Sequence, residues 1–95
     1  MIRSFKDKET ELIYKGYFSS KLPVDIQKVA LRKLLMLDAS TSLSDLKIPP
    51  SNHFEKLSKN LKGWWSIRIN DQYRVIFKFD VNRTDVFDVM ITDYH

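Results

Sequence analysis

Along the first half of this chain apolar residues recur every three to four positions; along the second half they alternate. The clearest helical signal runs from Val24 to Ala39, where Ile26, Ala30, Leu34 and Leu37 form one stripe that Val29 and Leu31 widen. Pro23 stands where a helix begins without losing a hydrogen bond, and Asp25 falls in the first turn. Gln27, Lys28, Arg32, Lys33 and Asp38 take the other side, so the spacing predicts an amphipathic helix of about four turns. A shorter helix is predicted to start in Asp7-Lys8-Glu9-Thr10-Glu11, where acidic residues meet the positive end of the helix dipole. Leu12, Ile13, Tyr14 and Tyr17 supply its apolar face and Gly16 its end, while Ile2 to Phe5 reads as a short opening strand.

Thr41 to Asn52 reads as a connecting loop, with Pro49-Pro50 stopping any helix and holding the chain extended. Beyond it, Trp65, Ile67 and Ile69 alternate with Trp64, Ser66, Arg68 and Asn70. Tyr73, Val75, Phe77 and Phe79 alternate with Arg74, Ile76 and Lys78, and Phe87, Val89 and Ile91 with Val86, Asp88, Met90 and Thr92. The separators Asn70-Asp71-Gln72 and Asn82-Arg83-Thr84-Asp85 are turn formers, so three strands form an antiparallel meander, to which Phe54 to Leu57 adds a fourth. The sum is an α+β domain spanning residues 1–95, with two N-terminal helices packed on one face of a small, mainly antiparallel β-sheet. The other face is then open, and the pattern places Arg68, Arg74 and Lys78 on it, with Trp65 in the core and Trp64 on the opposite side.

Charge sharpens that picture. Lys47, Lys56, Lys59, Lys62, Arg68, Arg74 and Lys78 face only Glu55 and Asp71 in the same stretch, whereas the rest of the chain carries nine basic and ten acidic residues. The basic surplus and the open sheet face coincide, as expected of a polyanion binder, although a solvated charged surface has the same composition. An apolar content of 43% belongs to a folded globule. The chain has no cysteine, which removes disulfides and thiolate metal sites. No apolar run is long enough for a transmembrane helix, and Met1 to Lys6 lacks the apolar stretch of a signal peptide, so a cytoplasmic protein with no membrane partner is expected.

With only Gly16 and Gly63, no glycine-rich phosphate loop exists, and His53 and His95 lack flanking metal ligands at the usual spacings, so neither metal nor cofactor is expected. What remains is a polyanion-binding surface with acid–base groups. RNA carries its own nucleophile, the 2′-hydroxyl. Cleavage then requires a group to take that proton, cations to hold the phosphorane and an acid for the leaving 5′ oxygen. A terminal Asp93-Tyr94-His95 follows the last strand, beside the strand that carries Arg74. Each residue also has a plainer reading: His95 as a solvated chain end, Tyr94 as a core cap or base-stacking ring, Asp93 as a partner for a nearby arginine.

The run Ser66-Ile67-Arg68-Ile69-Asn70-Asp71-Gln72-Tyr73-Arg74-Val75, the closing Asp93-Tyr94-His95, the opening Ile2-Arg3-Ser4-Phe5 and the loop Leu46-Lys47-Ile48-Pro49-Pro50 together resemble the HigB branch of the RelE toxin superfamily. The resemblance covers nearly the whole chain. It implies a microbial-RNase-like fold, ribosome-dependent cleavage of mRNA in the A site without a metal, contacts to ribosomal RNA, and neutralisation by a helix-turn-helix, HigA-like antitoxin. Asp93, Tyr94 and His95 match the family's C-terminal catalytic set, and Arg74 the arginine that holds the scissile phosphate, with Arg68 as helper. Some relatives place a catalytic histidine where this chain has Glu55, with His53 two residues earlier; both are candidate partners. Close relatives often read K-G-D-R where this chain has Ser58-Lys59-Asn60-Leu61, which leaves Lys56, Lys59 and Lys62, with Lys78 and Trp64, as candidate RNA and ribosome contacts. A non-catalytic RNA- or ribosome-binding module, and a degenerate toxin acting as co-repressor with its antitoxin, are the alternatives.

Overall fold

A computed structural model describes residues 1–93. Helices α1 (Lys8–Tyr14) and α2 (Val24–Ala39) precede a four-stranded antiparallel sheet of β1 (Glu55–Lys56), β2 (Trp65–Arg68), β3 (Arg74–Asp80) and β4 (Asp85–Thr92), ordered as in the sequence. No helix is long and apolar enough to cross a membrane.

The Asp7 carboxylate caps α1 by accepting from the Thr10 amide at 3.0 Å, and Gly16 leaves the helix at a φ of +87°, as the pattern requires. Tyr17 departs from expectation. It lies past the helix end and is exposed, so Ile13 alone is the buried apolar residue of α1. Helix α2 begins at Val24 and buries Ile26, Ala30, Leu34 and Leu37 against the sheet. Truncating Leu34 or Leu37, both fully buried, would remove about 2–5 kcal/mol.

On the helix-facing side, Ile67, Ile69, Val75 and Phe77 complete the core, and Trp65 packs at its margin, stacked on Phe54 with centroids 5.1 Å apart. The expected alternation fails once, in β4. Asp88 and Val89 together oppose Phe77, a β-bulge in which Asp88 takes a φ of 53°. The bulge resets the parity, so Val86, Val89 and Ile91 face the core while Phe87 pairs with Lys78 on the other side. Ser4 stabilises the bulge, its hydroxyl accepting from the Asp88 amide at 2.9 Å.

The opening residues do not build a strand of their own. They run parallel to the free edge of β4, with Arg3 and Lys6 amides donating to the Val86 and Val89 carbonyls. One step further on, the Thr10 hydroxyl of α1 accepts from the Ile91 amide at 2.9 Å, so this edge is closed to within two residues of Asp93.

The 41–52 segment is more ordered than a plain loop. Ser42 and Asp45 form a capping box on a 3-10 turn, Leu43–Lys47, and bonds from Thr41 and then Ser42 hold the Asp45 carboxyl below its usual range. A second 3-10 turn, Pro50–Asn52, starts at a proline because the first helical position needs no N–H. Lys33, placed by its spacing on the polar side of α2, is instead buried beneath this segment.

The outer sheet face is half covered rather than open. The β1–β2 connector folds back so that Leu57 and Trp64 pack on Ile76, flanked by Leu61 and Met90. Trp64 does face away from the main core, but it is buried in this second, smaller one.

Candidate active site on the outer sheet face

The uncovered half of the outer face is arranged around Arg74, the first residue of β3. Its register partners are Arg68 on β2 and Thr92 on β4, and Ser66 and Glu55 share the same face. The guanidinium is held at three points. Nε donates to the buried Ser66 hydroxyl at 2.9 Å, Nη2 donates to the His53 backbone carbonyl, and Nη1 lies 3.5 Å from Glu55 Oε1. Its side chain is 16% exposed, so a ligand can reach the group without its leaving these partners. A fork fixed this way presents its remaining N–H donors in one direction, the arrangement suited to a phosphate.

Arg68 stands directly opposite, its guanidinium ion-paired with the exposed Asp71. Like charges facing each other across strands are unfavourable, and an anion bound between them relieves the strain. Asp93 follows the Thr92 partner of Arg74, and its Oδ2 accepts from Gln72 Nε2 at 2.9 Å. Tyr94 and His95, the other two members of the expected C-terminal set, lie outside the described residues.

Of the two candidate partners, Glu55 brings its carboxylate to Arg74, whereas His53 contributes its backbone carbonyl from a left-handed conformation with φ 42°. The expected basic residues separate into groups. Lys78 Nζ sits 4.9 Å from the Trp64 ring centroid on the outer face and 3.7 Å from Asp88, and Lys6 joins it 5.7 Å from the same ring. Lys59 and Lys62 are exposed in the connector above them. Lys56 pairs in register with Trp65 and lies 5.8 Å from that ring, so it belongs to the helix-facing side of the edge strand and not beside Arg74. No group of three or more His, Cys, Asp or Glu able to hold a metal occurs among the described residues.

Ser66, Gln72 and Lys6 were not picked out by their chemistry. Ser66 and Gln72 do lie within the Ser66–Val75 run, and the strand parity that selects Arg74 selects Ser66 as well. Lys6 had no local signal, because it meets Trp64 only through the parallel edge pairing.

This fold is that of the RelE-like toxins. It superposes on the toxin fold in a YoeB–YefM complex from Staphylococcus aureus with a TM-score of 0.56 and 21% identity, covering 100% of this chain and 98% of that one. The RelBE2 toxin–antitoxin complex of Mycobacterium tuberculosis gives 0.51 and 20% identity, over 98% of this chain and 95% of that one. Residues 3–95 match the model of the RelE-like toxin of type II toxin–antitoxin system HigB, and the chain belongs to this family. It is 50% identical over 80 residues to Toxin HigB-1 of Vibrio cholerae, covering 83% of this chain and 84% of that protein. It is 30% identical to the Endoribonuclease HigB of Proteus vulgaris over the full length of both.

Proposed function

We propose that this toxin is an endoribonuclease that cleaves mRNA in the ribosomal A site, with Arg74 holding the scissile phosphate. The observation that carries this reading is the three-point anchoring of Arg74 beside Glu55, at the strand end that leads into Asp93, Tyr94 and His95. Glu55 takes the proton of the 2′-hydroxyl as the 2′ oxygen attacks phosphorus. Arg74, helped by Arg68, stabilises the negative phosphorane. The bond to the 5′ oxygen then breaks, and the C-terminal pair, Tyr94 and His95, returns a proton to that oxygen while Asp93 orients them. The 2′-hydroxyl supplies the nucleophile, so the step requires no metal.

Substrate contact extends along β3 from Arg74 to Lys78. Two residues on one strand face lie about 6.6 Å apart, so Arg74 and Lys78 are separated by roughly two phosphate spacings. Lys78 and Lys6 around Trp64, with Lys59 and Lys62 above, meet the mRNA backbone or ribosomal RNA. Lys56 contacts ribosomal RNA from the other side of the edge strand. Family membership and the antitoxin-bound form of the structural neighbours support a cognate antitoxin, which we assign to the helix-turn-helix, HigA-like type and place with the toxin in the cytoplasm.

Primer extension on translated mRNA tests the reading. New cuts within the A-site codon are expected with the wild-type protein and not with Arg74→Ala or a chain lacking His95. Cuts of equal strength from both variants, at equal protein level, would overturn the assignment. Growth arrest without any new cuts would favour a non-catalytic ribosome binder.

A further inference from the structure

Lys33 is 4% exposed on α2, and no acidic side chain pairs with it among the described residues. A lysine is rarely buried without such a partner, because the ammonium loses its hydration. Burial, and then the nearby charges of Arg32 and Arg68, push its pKa below the usual lysine value. Its Nζ donates to Oδ1 of Asn52. Asn52 is itself fully buried, and its amide donates to the Leu46 carbonyl at 3.0 Å and the Ile48 carbonyl at 3.3 Å. Every polar function of that side chain is therefore used. The next residue is His53, whose carbonyl accepts from Arg74.

We propose that Lys33 is a positioning residue for Arg74, acting through Asn52 to fix the His53 carbonyl on which the guanidinium rests. Asn52 is fastened by Lys33 through its carbonyl oxygen and, through its amide, by two turn carbonyls and the Met36 sulfur at 3.1 Å. The peptide that follows it thus has little freedom to shift. A side chain without a donor could not hold the buried Oδ1 of Asn52. The link runs from helix α2, on one side of the sheet, to the outer face on the other. Its effect on catalysis rests on the reading of Arg74 given above, whereas the positional link does not.

The test uses Lys33→Met in the full chain, with two readouts. One is hydrogen exchange at the Arg74 Nη2–H, the donor to the His53 carbonyl, followed by NMR; the other is the rate of mRNA cleavage on programmed ribosomes. Lys33→Met is expected to speed Nη2–H exchange at Arg74 about tenfold, while the Nε–H bonded to Ser66 and amide protection in α2 and β3 stay at the wild-type level. It is also expected to lower kcat about tenfold with KM unchanged, since a misaimed group weakens the transition state and not encounter. In an Arg74→Ala background the same substitution should change kcat no further. Lys33→Arg, which keeps a donor over Asn52, is expected to restore exchange and rate to within about threefold of wild type. Unchanged Nη2–H exchange in Lys33→Met overturns the inference, as does a loosening spread evenly over α2 and the sheet. Lys33→Arg with freely exchanging Nη2–H overturns it too, even if Lys33→Met fails to fold. Faster exchange with an undiminished rate upholds the positional link and overturns the catalytic reading of Arg74 instead.

Discussion

Arg68 and Arg74 stand opposite each other across β2 and β3, each with one carboxylate for company, Asp71 for the first and Glu55 for the second. The two differ in anchoring. Arg74 is buttressed by Ser66 and the His53 carbonyl, while the acceptor shown for Arg68 is the exposed Asp71. Arg74→Ala should therefore lower cleavage by about 10²–10³-fold, the usual effect of losing one donor to a transition-state oxyanion. Arg68→Ala should weaken RNA binding modestly and leave stability within about 0.5 kcal/mol, since the lost ion pair is solvent-screened and a repulsion goes with it. Single-turnover cleavage and thermal unfolding of both variants check this.

Glu55 and His53 are separable by substitution. Glu55→Gln keeps the side-chain shape and removes the proton acceptor, with an expected loss of about 10²–10⁴-fold in cleavage rate. His53→Ala retains the carbonyl that holds Arg74 and should lose less than about tenfold, a bound set by the smaller contribution of side-chain truncation away from the reacting atoms. A His53→Ala rate as low as that of Glu55→Gln would transfer the general-base role to His53.

Lys33 should leave a mark on the pH dependence of stability. Its pKa is lowered in the folded state, so above that value the unfolded chain binds more protons than the folded one, up to the ordinary lysine value. The cost of burying its charge is therefore relieved as pH rises from the lowered folded value to the ordinary one. Tyr14 acts in the opposite sense, because burial and then the hydrogen bond to Asp38 raise its pKa, but it contributes equally to both proteins in a comparison. The difference in unfolding free energy between wild type and Lys33→Met should shift in favour of wild type as pH rises towards the ordinary lysine value of 10.5, measured by urea titration.

The Lys6–Trp64–Lys78 group predicts a salt effect. Each single-strand phosphate contact contributes about 0.7 to the slope of log affinity against log salt. The Lys6→Ala, Lys78→Ala double variant should lower the slope for a short RNA by about 1.4 if each lysine meets one phosphate. Trp64→Leu keeps both lysines and should keep the slope, while loosening the minor core. An unaltered slope in the double variant would remove this group from the RNA path.

Much of this was legible in one sequence, and the exceptions have physical causes. The α2 stripe and the faces of β2 and β3 followed from periodicity, because a single core on one side of a sheet imposes it. Asp88 broke the pattern in β4: a bulge inserts one residue and reverses parity, and an aspartate in that conformation has no signature in hydrophobicity. Lys33 lies off the expected face because its burial depends on Asn52, nineteen residues away, at the end of a 3-10 turn that starts at the second of two adjacent prolines. In the candidate site, Arg74 and Glu55 were found as separate suggestions by motif. Their approach to 3.5 Å depends on the register of the short strand β1, which the pattern of Phe54 to Leu57 locates but whose pairing it does not set.

The bonding of β4 to both the first residues and β3 has a consequence for synthesis. Met1 to Lys6 find their backbone partners more than eighty positions downstream, and Thr10 bonds to Ile91 across the same distance. Such contacts form late, because their loop must close before any of them rewards it. A nascent chain stopped short of β4 has neither the strand that covers Val75 and Ile76 nor a support for the residues that follow Thr92. A cell translating this message thus meets the folded toxin only after the codons of β4 have been read.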